Sequence, residues 1–301
     1  MTNVHVALSG VTKDYGAQRA VNHVDLELRA GECVALAGHN GAGKSTLIKL
    51  MLGLIHPTQG QIQLLGQDAS SNTAVRMRNQ IGYLPETVAL YPSLTGNETL
   101  QFYARLKHQP VSDNAALLSR VGMTHAARQR VGSYSKGMRQ RLALAQALLG
   151  KPKVLLFDEP TTGLDPASRL MFYEIVRELR NSGSTVLLST HALAELDGHT
   201  DRVIVMKKGN KIADGSMSVL RHQADLPVRI QIKLNAEGAT APHLPDGWLR
   251  IDEQRFELHC AERDKVAALR SLGAITHIDD IEIHVPSLDD MYAHFLRRDD
   301  E

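Results

Sequence analysis

The chain has 301 residues, enough for one large domain with its own core and a smaller second one. Apolar residues make up 43% and charged residues 22%, and Lys plus Arg total 34 against 33 for Asp plus Glu, so no charge excess points to a nucleic-acid partner. Its two cysteines, Cys33 and Cys260, lie far apart without CxxC spacing, which excludes a disulfide framework or thiolate metal site and fits a reducing cytoplasm.

The opening Met1-Thr-Asn-Val-His-Val6 lacks the basic and apolar regions expected of a secretion signal. Val24–Leu28 alternates apolar and polar residues, the pattern of a strand with one buried face. Glu32–Ala37 is a continuous apolar run ending at a glycine, which predicts a buried central strand. Leu47, Leu50, Met51 and Leu54 then recur at helical spacing. This stretch is the most apolar in the chain, yet too short and too charged to span a bilayer, so action at a membrane requires another subunit.

From about residue 87 to 150 the pattern turns helical, as in a helical insertion within an α/β core. Strand patterns return at Val154–Phe157, Thr185–Ser189 and Arg202–Met206, with a helix over Met171–Leu179, and this alternation predicts a mainly parallel sheet. A separate small α+β domain is expected over residues 228–301. Its predicted strands are Val228–Leu234, Phe256–Cys260 and Ile278–Val285, its helices Arg263–Leu272 and Leu288–Leu296, with a Gly- and Pro-rich connection over 238–247. The acidic Asp299-Asp-Glu301 end is read as a solvated tail. Fourteen histidines are scattered without HxxxH spacing, and His259 and Cys260 would face opposite sides of a strand, so no structural metal site is expected.

Four motifs carry chemistry. Gly38-His39-Asn40-Gly41-Ala42-Gly43-Lys44-Ser45, followed by Thr46, matches GxxxxGK[ST] between a predicted strand and helix. Its backbone N–H groups would wrap phosphates, Lys44 would reach the β- and γ-phosphates, and the Ser45 hydroxyl would ligate Mg²⁺. The apolar run Val154–Phe157 ends in Asp158-Glu159, where Asp158 suits a magnesium-holding carboxylate and Glu159 could orient or deprotonate an attacking water. Tyr134-Ser135-Lys136-Gly137-Met138-Arg139-Gln140 lies between these two motifs, and Ser189-Thr190-His191 follows them.

In this order the motifs resemble the ATP-binding cassette (ABC) family over about residues 4–220. The resemblance implies a P-loop α/β nucleotide-binding domain with a helical subdomain, using ATP and Mg²⁺. It identifies Ser135, Lys136, Gly137 and Met138 as the signature loop, Asp165 of Gly163-Leu-Asp165 as the D-loop aspartate, His191 as the switch histidine and Tyr15 as the adenine-stacking aromatic. In that family two cassettes face head to tail, so a homodimer is implied in which the signature loop of one chain completes the partner's Lys44 site. Lys136 stands where the family usually has glycine. Glu86, after Ile81-Gly-Tyr-Leu-Pro85, stands where it usually has a magnesium-contacting glutamine; a carboxylate there adds charge near the γ-phosphate and resembles cassettes serving exporter-like, six-helix permeases.

Gly38-His-Asn-Gly-Ala-Gly43, Gly82-Tyr-Leu-Pro-Glu86 with Leu90-Tyr-Pro92, Tyr134–Leu142 with Ala145–Gly150, and Asp225-Leu-Pro-Val-Arg-Ile230 resemble more narrowly the NosF subfamily, the ATPases of NosDFY complexes that support copper-centre assembly in nitrous oxide reductase. That resemblance implies an integral membrane permease (NosY-like), a periplasmic NosD-like protein, a place at the cytoplasmic face of the bacterial inner membrane and no direct contact with copper. A drug, lipid or polysaccharide exporter ATPase is the rival reading. A DNA-repair ATPase of the superfamily would need a long coiled coil between Gly43 and Ser135, and a translation factor would normally carry two cassettes.

Overall fold

A computed structural model describes residues 3–69, 77–191, 193–196, 198–235, 244–275 and 277–298. The acidic tail 299–301 and residues 238–243 of the Gly- and Pro-rich connection lie outside them. The chain divides into two compact units, residues 1–216 and 217–301.

The first unit opens with a long hairpin, β1 (Val4–Tyr15) and β2 (Gln18–Arg29), turned at Gly16 with φ of 58°. Strand β3 (Cys33–Ala37) is buried at every residue, as its unbroken apolar run requires. Helix α1 (Lys44–Met51) follows and stops before Gly53, whose φ of 64° ends the helical spacing that the sequence carries on to Leu54. Strands β4 (Gln59–Leu64) and β5 (Gln67–Asp68) then complete a four-stranded antiparallel sheet in the order β2-β1-β4-β5. Helix α1 packs against β2 and β4 and against the central sheet. One core therefore joins Val6, Leu8 and Leu28 of the antiparallel sheet to Leu47, Ile48 and Met51 of the helix and Val34 and Leu36 of the central strand.

After β6 (Ile81–Leu84) come the helices of the inserted segment: α2 (Gly96–Leu106), α3 (Asn114–Arg120) and α4 (Lys136–Ala147). Helix α2 opens with a reciprocal cap in which Thr95 Oγ1 accepts from the Glu98 N–H and the Glu98 carboxylate accepts from the Thr95 N–H. Helix α4 lies so close to β6 that a Cβ on Gly82 would come within 2.3 Å of the Ala147 carbonyl oxygen. Then follow β7 (Val154–Asp158), α5 (Pro166–Asn181), β8 (Thr185–Thr190), β9 (Arg202–Lys207) and β10 (Asn210–Gly215). The central sheet runs β10-β9-β3-β8-β7-β6, parallel except at the β10 edge. All residues of β7 and β8 are buried, so both faces of the sheet are covered.

The second unit begins with α6 (Met217–Ala224), which packs on α8 (Leu288–Arg298). Between them β11 (Val228–Leu234), β12 (Trp248–Arg250), β13 (Arg255–Cys260) and β14 (Ile278–His284) form an antiparallel sheet in the order β12-β13-β11-β14. Val228, Ile230, Ile232 and Leu234 alternate into its core with Phe256 and Leu272. The predicted helix over Arg263–Leu272 is a shorter α7 (Lys265–Ser271) with tighter turns at both ends.

Candidate functional site

Strand β3 delivers the chain into the Gly38–Ser45 loop, and backbone geometry there demands glycine. Gly41 and Gly43 have φ of 83° and 104°. A Cβ on Gly43 would stand 2.4 Å from the Ala20 carbonyl oxygen, and one on Gly38 would stand 2.8 Å from the Met206 carbonyl oxygen. The loop thus presses against β2 and β9 and ends at the N-terminus of α1, whose first-turn N–H groups and positive dipole end face outward. Beside it opens a cleft of about 420 Å³, lined by the loop from His39 to Thr46 together with Tyr15, Gln18, Ala20, Glu86 and Glu159.

Lys44 is buried and folds back over its own loop, donating to the Gly38 carbonyl at 2.5 Å and the His39 carbonyl at 3.4 Å. Its ammonium lies 3.6 Å from the Glu159 carboxylate. Glu159 adopts φ of 48°, a left-handed conformation costly for a non-glycine residue, and this turns its side chain from the end of β7 toward the cleft. Its Oε2 accepts a hydrogen bond from His191 Nδ1 at 2.8 Å, while Oε1 is buried and has no hydrogen-bond partner. Parallel pairing of β7 with β8 sets Asp158 opposite Ser189. The Ser189 hydroxyl donates to Asp158 Oδ1 at 2.6 Å and accepts from the Glu159 N–H at 3.0 Å, so one buried hydroxyl ties the two acids together. Burial, with the Asp158 and Glu86 carboxylates nearby, pushes the Tyr83 phenol up.

A phosphate-bound magnesium ion fits this set of groups. The cleft lining brings together the glycine loop, the Lys44 ammonium and the Glu86 and Glu159 carboxylates, and Glu159 Oε1, 3.6 Å from Lys44 Nζ, is buried without a hydrogen-bond donor of its own. Tyr15 is half-exposed and lines the cleft, with Lys13 Nζ 5.2 Å from its ring centroid.

Ser135, Lys136, Gly137 and Met138 do not line this cleft. They sit at the start of α4, where Ser135 caps the helix by accepting from the Met138 N–H at 3.2 Å. Two contacts brace that start: the Tyr134 hydroxyl donates to the Ala126 carbonyl at 2.6 Å, and buried Gln140 donates to the Pro160 carbonyl at 3.3 Å. Lys136 packs over Gly163, so the signature loop and D-loop are neighbours. Asp165 caps α5 through the Ser168 N–H and hydroxyl, and those two bonds hold its carboxyl below the usual range. Gln18 and Ala20 line the cleft without having been singled out in the sequence, and Ser189, quoted there as the start of the Ser189-Thr190-His191 motif, was given no role of its own. Only Ser189, one strand position before the Thr190-His191 pair, carried a signal.

The fold and cleft define a P-loop ATPase of α/β type. A family model described as "ABC transporter" matches residues 21–162. The daunorubicin resistance ATP-binding protein DrrA3 of Streptomyces coeruleorubidus is 35% identical over 99% of this chain and 98% of its own length. The Nod factor export ATP-binding protein I of Rhizobium johnstonii is 33% identical over 100% and 97%. Among solved structures, an ATP-binding subunit of an ABC transporter covers 72% of this chain and 92% of its own, at 32% identity and a TM-score of 0.68. The dimeric cassette MJ0796 covers 70% and 98%, at 25% identity and a TM-score of 0.66. The chain belongs to the ABC transporter family as an ATP-binding subunit. It binds ATP with Mg²⁺ and hydrolyses the nucleotide in coupling to transport. ATPases of this family work as dimers with membrane permease components. No helix among the described residues is long and apolar enough to cross a membrane, and no group of three or more His, Cys, Asp or Glu side chains there is placed to hold a metal.

Proposed function

We propose that two copies of this chain form a NosF-type motor that energises a NosY-like permease and, through it, a periplasmic NosD-like protein in copper-centre assembly of nitrous oxide reductase. Lys44 and the loop N–H groups hold the phosphates, and Ser45, Glu86 and Asp158 are the residues that would hold the magnesium ion. The metal's contribution is to neutralise charge on the phosphates. Glu159 accepts the proton of the attacking water, and His191 positions the Glu159 carboxylate. Tyr15 stacks on adenine. Ser135 to Met138 of one copy, with the positive end of α4, face the γ-phosphate held by the other, and Asp165 links the two sites across the seam.

The observation that carries the dimer is the separation of the signature loop from the cleft it would serve: Ser135 caps α4 and is absent from the lining around Lys44. A mixture of Lys44→Ala and Ser135→Arg chains tests it. Each variant alone is inactive, and the mixture regains ATPase activity because one composite site in the mixed dimer is intact. A mixture as dead as its components would refute the arrangement.

The NosF assignment rests on the segments Gly38–Gly43, Gly82–Glu86 with Leu90–Pro92, Tyr134–Leu142 with Ala145–Gly150, and Asp225–Ile230. An exporter ATPase is the second reading, favoured by full-length similarity to a drug-resistance and a Nod factor export protein. Cells lacking the gene decide between them. Nitrous oxide reductase purified from such cells lacks its full copper complement under the first reading, and a fully metallated enzyme sinks it. The cytoplasmic face of the inner membrane follows from the same reading, as does the absence of direct copper contact. Residues 228–301 serve in it as an accessory domain of the dimer.

A further inference from the structure

Among the described residues, strand β14 is an open edge. It pairs with β11 on one side and ends the sheet, whereas the opposite edge, β12, is only three residues long. Long uncovered edges are templates for another strand, and natural proteins usually blunt or cover them. Ile283 and Ile281 lie opposite the fully buried Ile230 and Ile232, so they extend the core face of the sheet, yet each is 43% exposed. On the other face Glu282 and His284 stand beside one another, 3.3 Å apart at their side-chain tips. The Ile281 N–H donates to the carboxylate of its own neighbour, Asp280, which fits a strand whose odd-numbered residues turn their N–H groups away from β11.

We infer that β14 pairs antiparallel with β14 of a second copy of this chain, on a two-fold axis through Ile283, making one continuous eight-stranded sheet. The sequence of the strand selects this register. Residues directly opposite in an antiparallel pair share a face, so only registers that set odd against odd keep the two core faces on one side. With Ile283 on the axis, Ile283 meets Ile283, Ile281 meets Val285, and each Glu282 meets the other copy's His284, an acceptor against a ring N–H. Centring on Glu282 opposes two like carboxylates, and centring on Ile281 sets Asp280 against Glu282 twice. Like charges directly opposite destabilise a pair. The contact is isologous, the same strand meeting itself, so it closes on a pair of chains. The inference concerns self-association alone and does not depend on which cargo the permease carries.

Cysteine cross-linking of the full chain tests it in a Cys260→Ser background, with buried Cys33 left in place. A hydrogen-bonded antiparallel pair holds its Cα atoms about 5.5 Å apart, within disulfide range. Under mild oxidation without nucleotide, Ile283→Cys forms most of its protein into covalent dimer. Ile281→Cys and Val285→Cys cross-link poorly alone but readily when mixed. Failure of Ile283→Cys to link, or a stronger link at Glu282→Cys, overturns the proposal. In a second arm, Ile283→Lys weakens self-association at least tenfold by sedimentation, while binding of a fluorescent ATP analogue at the Lys44 site confirms that the chain is folded. Self-association equal to that of the unaltered chain overturns it, as does a strand captured by some other partner with no self-linked product. If Ile283→Lys fails to fold, the cross-linking arm decides.

Discussion

The Lys44 ammonium stands 3.6 Å from the Glu159 carboxylate, and both side chains are more than nine-tenths buried. Lys44 also has the Gly38 and His39 carbonyls, so it does not depend on Glu159 for its place. Glu159→Gln removes the base and one negative charge from the cleft while keeping the shape of the side chain. The variant binds ATP at least as tightly and forms the ATP-bound dimer, and hydrolysis falls by about 10²–10⁴, the usual contribution of a positioned base. Phosphate release measured alongside nucleotide binding checks this, and turnover at the unaltered rate would remove Glu159 from the catalytic role.

Ser189 holds the two acids in register, and its loss has a distinct signature. Ser189→Ala leaves a buried Asp158 oxygen and the Glu159 N–H without their shared partner. Stranding buried polar groups costs about 1–3 kcal/mol, or roughly 2–4 °C of Tm for each kcal/mol in a domain of this size. Turnover falls and the magnesium concentration needed for half-maximal activity rises, because the Asp158 carboxylate is no longer fixed. A variant with reduced Tm but an unchanged magnesium dependence would limit Ser189 to a purely structural part.

What the sequence disclosed and what it hid follow from the range of the interactions. The Gly38–Ser45 loop is one contiguous turn whose glycines are demanded by local φ values and by close backbone contacts, so it was legible residue by residue. The helical segment and the three buried strands carried their own periodicities. Ser189 was different, since it matters only because β8 pairs in parallel with β7, a register formed across the whole of α5. Gln18 and Ala20 reach the cleft only through the β1–β2 hairpin. Strand β12, three residues in length, is too short to show a period at all. The helix at Lys265–Ser271 was overextended because flanking tight turns keep nearly helical spacing.

Glu86, exposed after β6, lines the same cleft as Glu159. A side chain open to solvent works in a high effective dielectric, where a unit charge about 4 Å away contributes roughly 1–4 kcal/mol rather than the much larger interior value. Glu86→Gln keeps an oxygen for the metal and removes that charge. The variant therefore retains ATP turnover within about threefold, with somewhat tighter nucleotide binding. Loss of magnesium-dependent ATP binding in a titration of the variant would show instead that the charge is essential.

The edge of the central sheet carries an acid-sensitive contact. Asp214 on β10 accepts from Arg202 Nε at 2.5 Å, Arg202 Nη2 at 2.8 Å and Lys211 Nζ at 2.8 Å. Burial works to raise its pKa, but these charge-assisted bonds outweigh burial and leave the carboxyl below its ordinary range. A folded-state pKa below the unfolded value of about 3.9 means that the ionised group stabilises the fold fully above roughly pH 5. That stabilisation is lost as pH falls through the folded-state pKa. Asp214→Asn should therefore be less stable than the unaltered chain at pH 7, by about 1–3 kcal/mol, since Arg202 and Lys211 lose a charged acceptor. The difference should shrink as urea unfolding is repeated from pH 5 downward, because the unfolded carboxyl takes up its proton first and the native Asp214 follows only at lower pH. Two stability curves that stay parallel through this range would show that Asp214 does not drive the acid response.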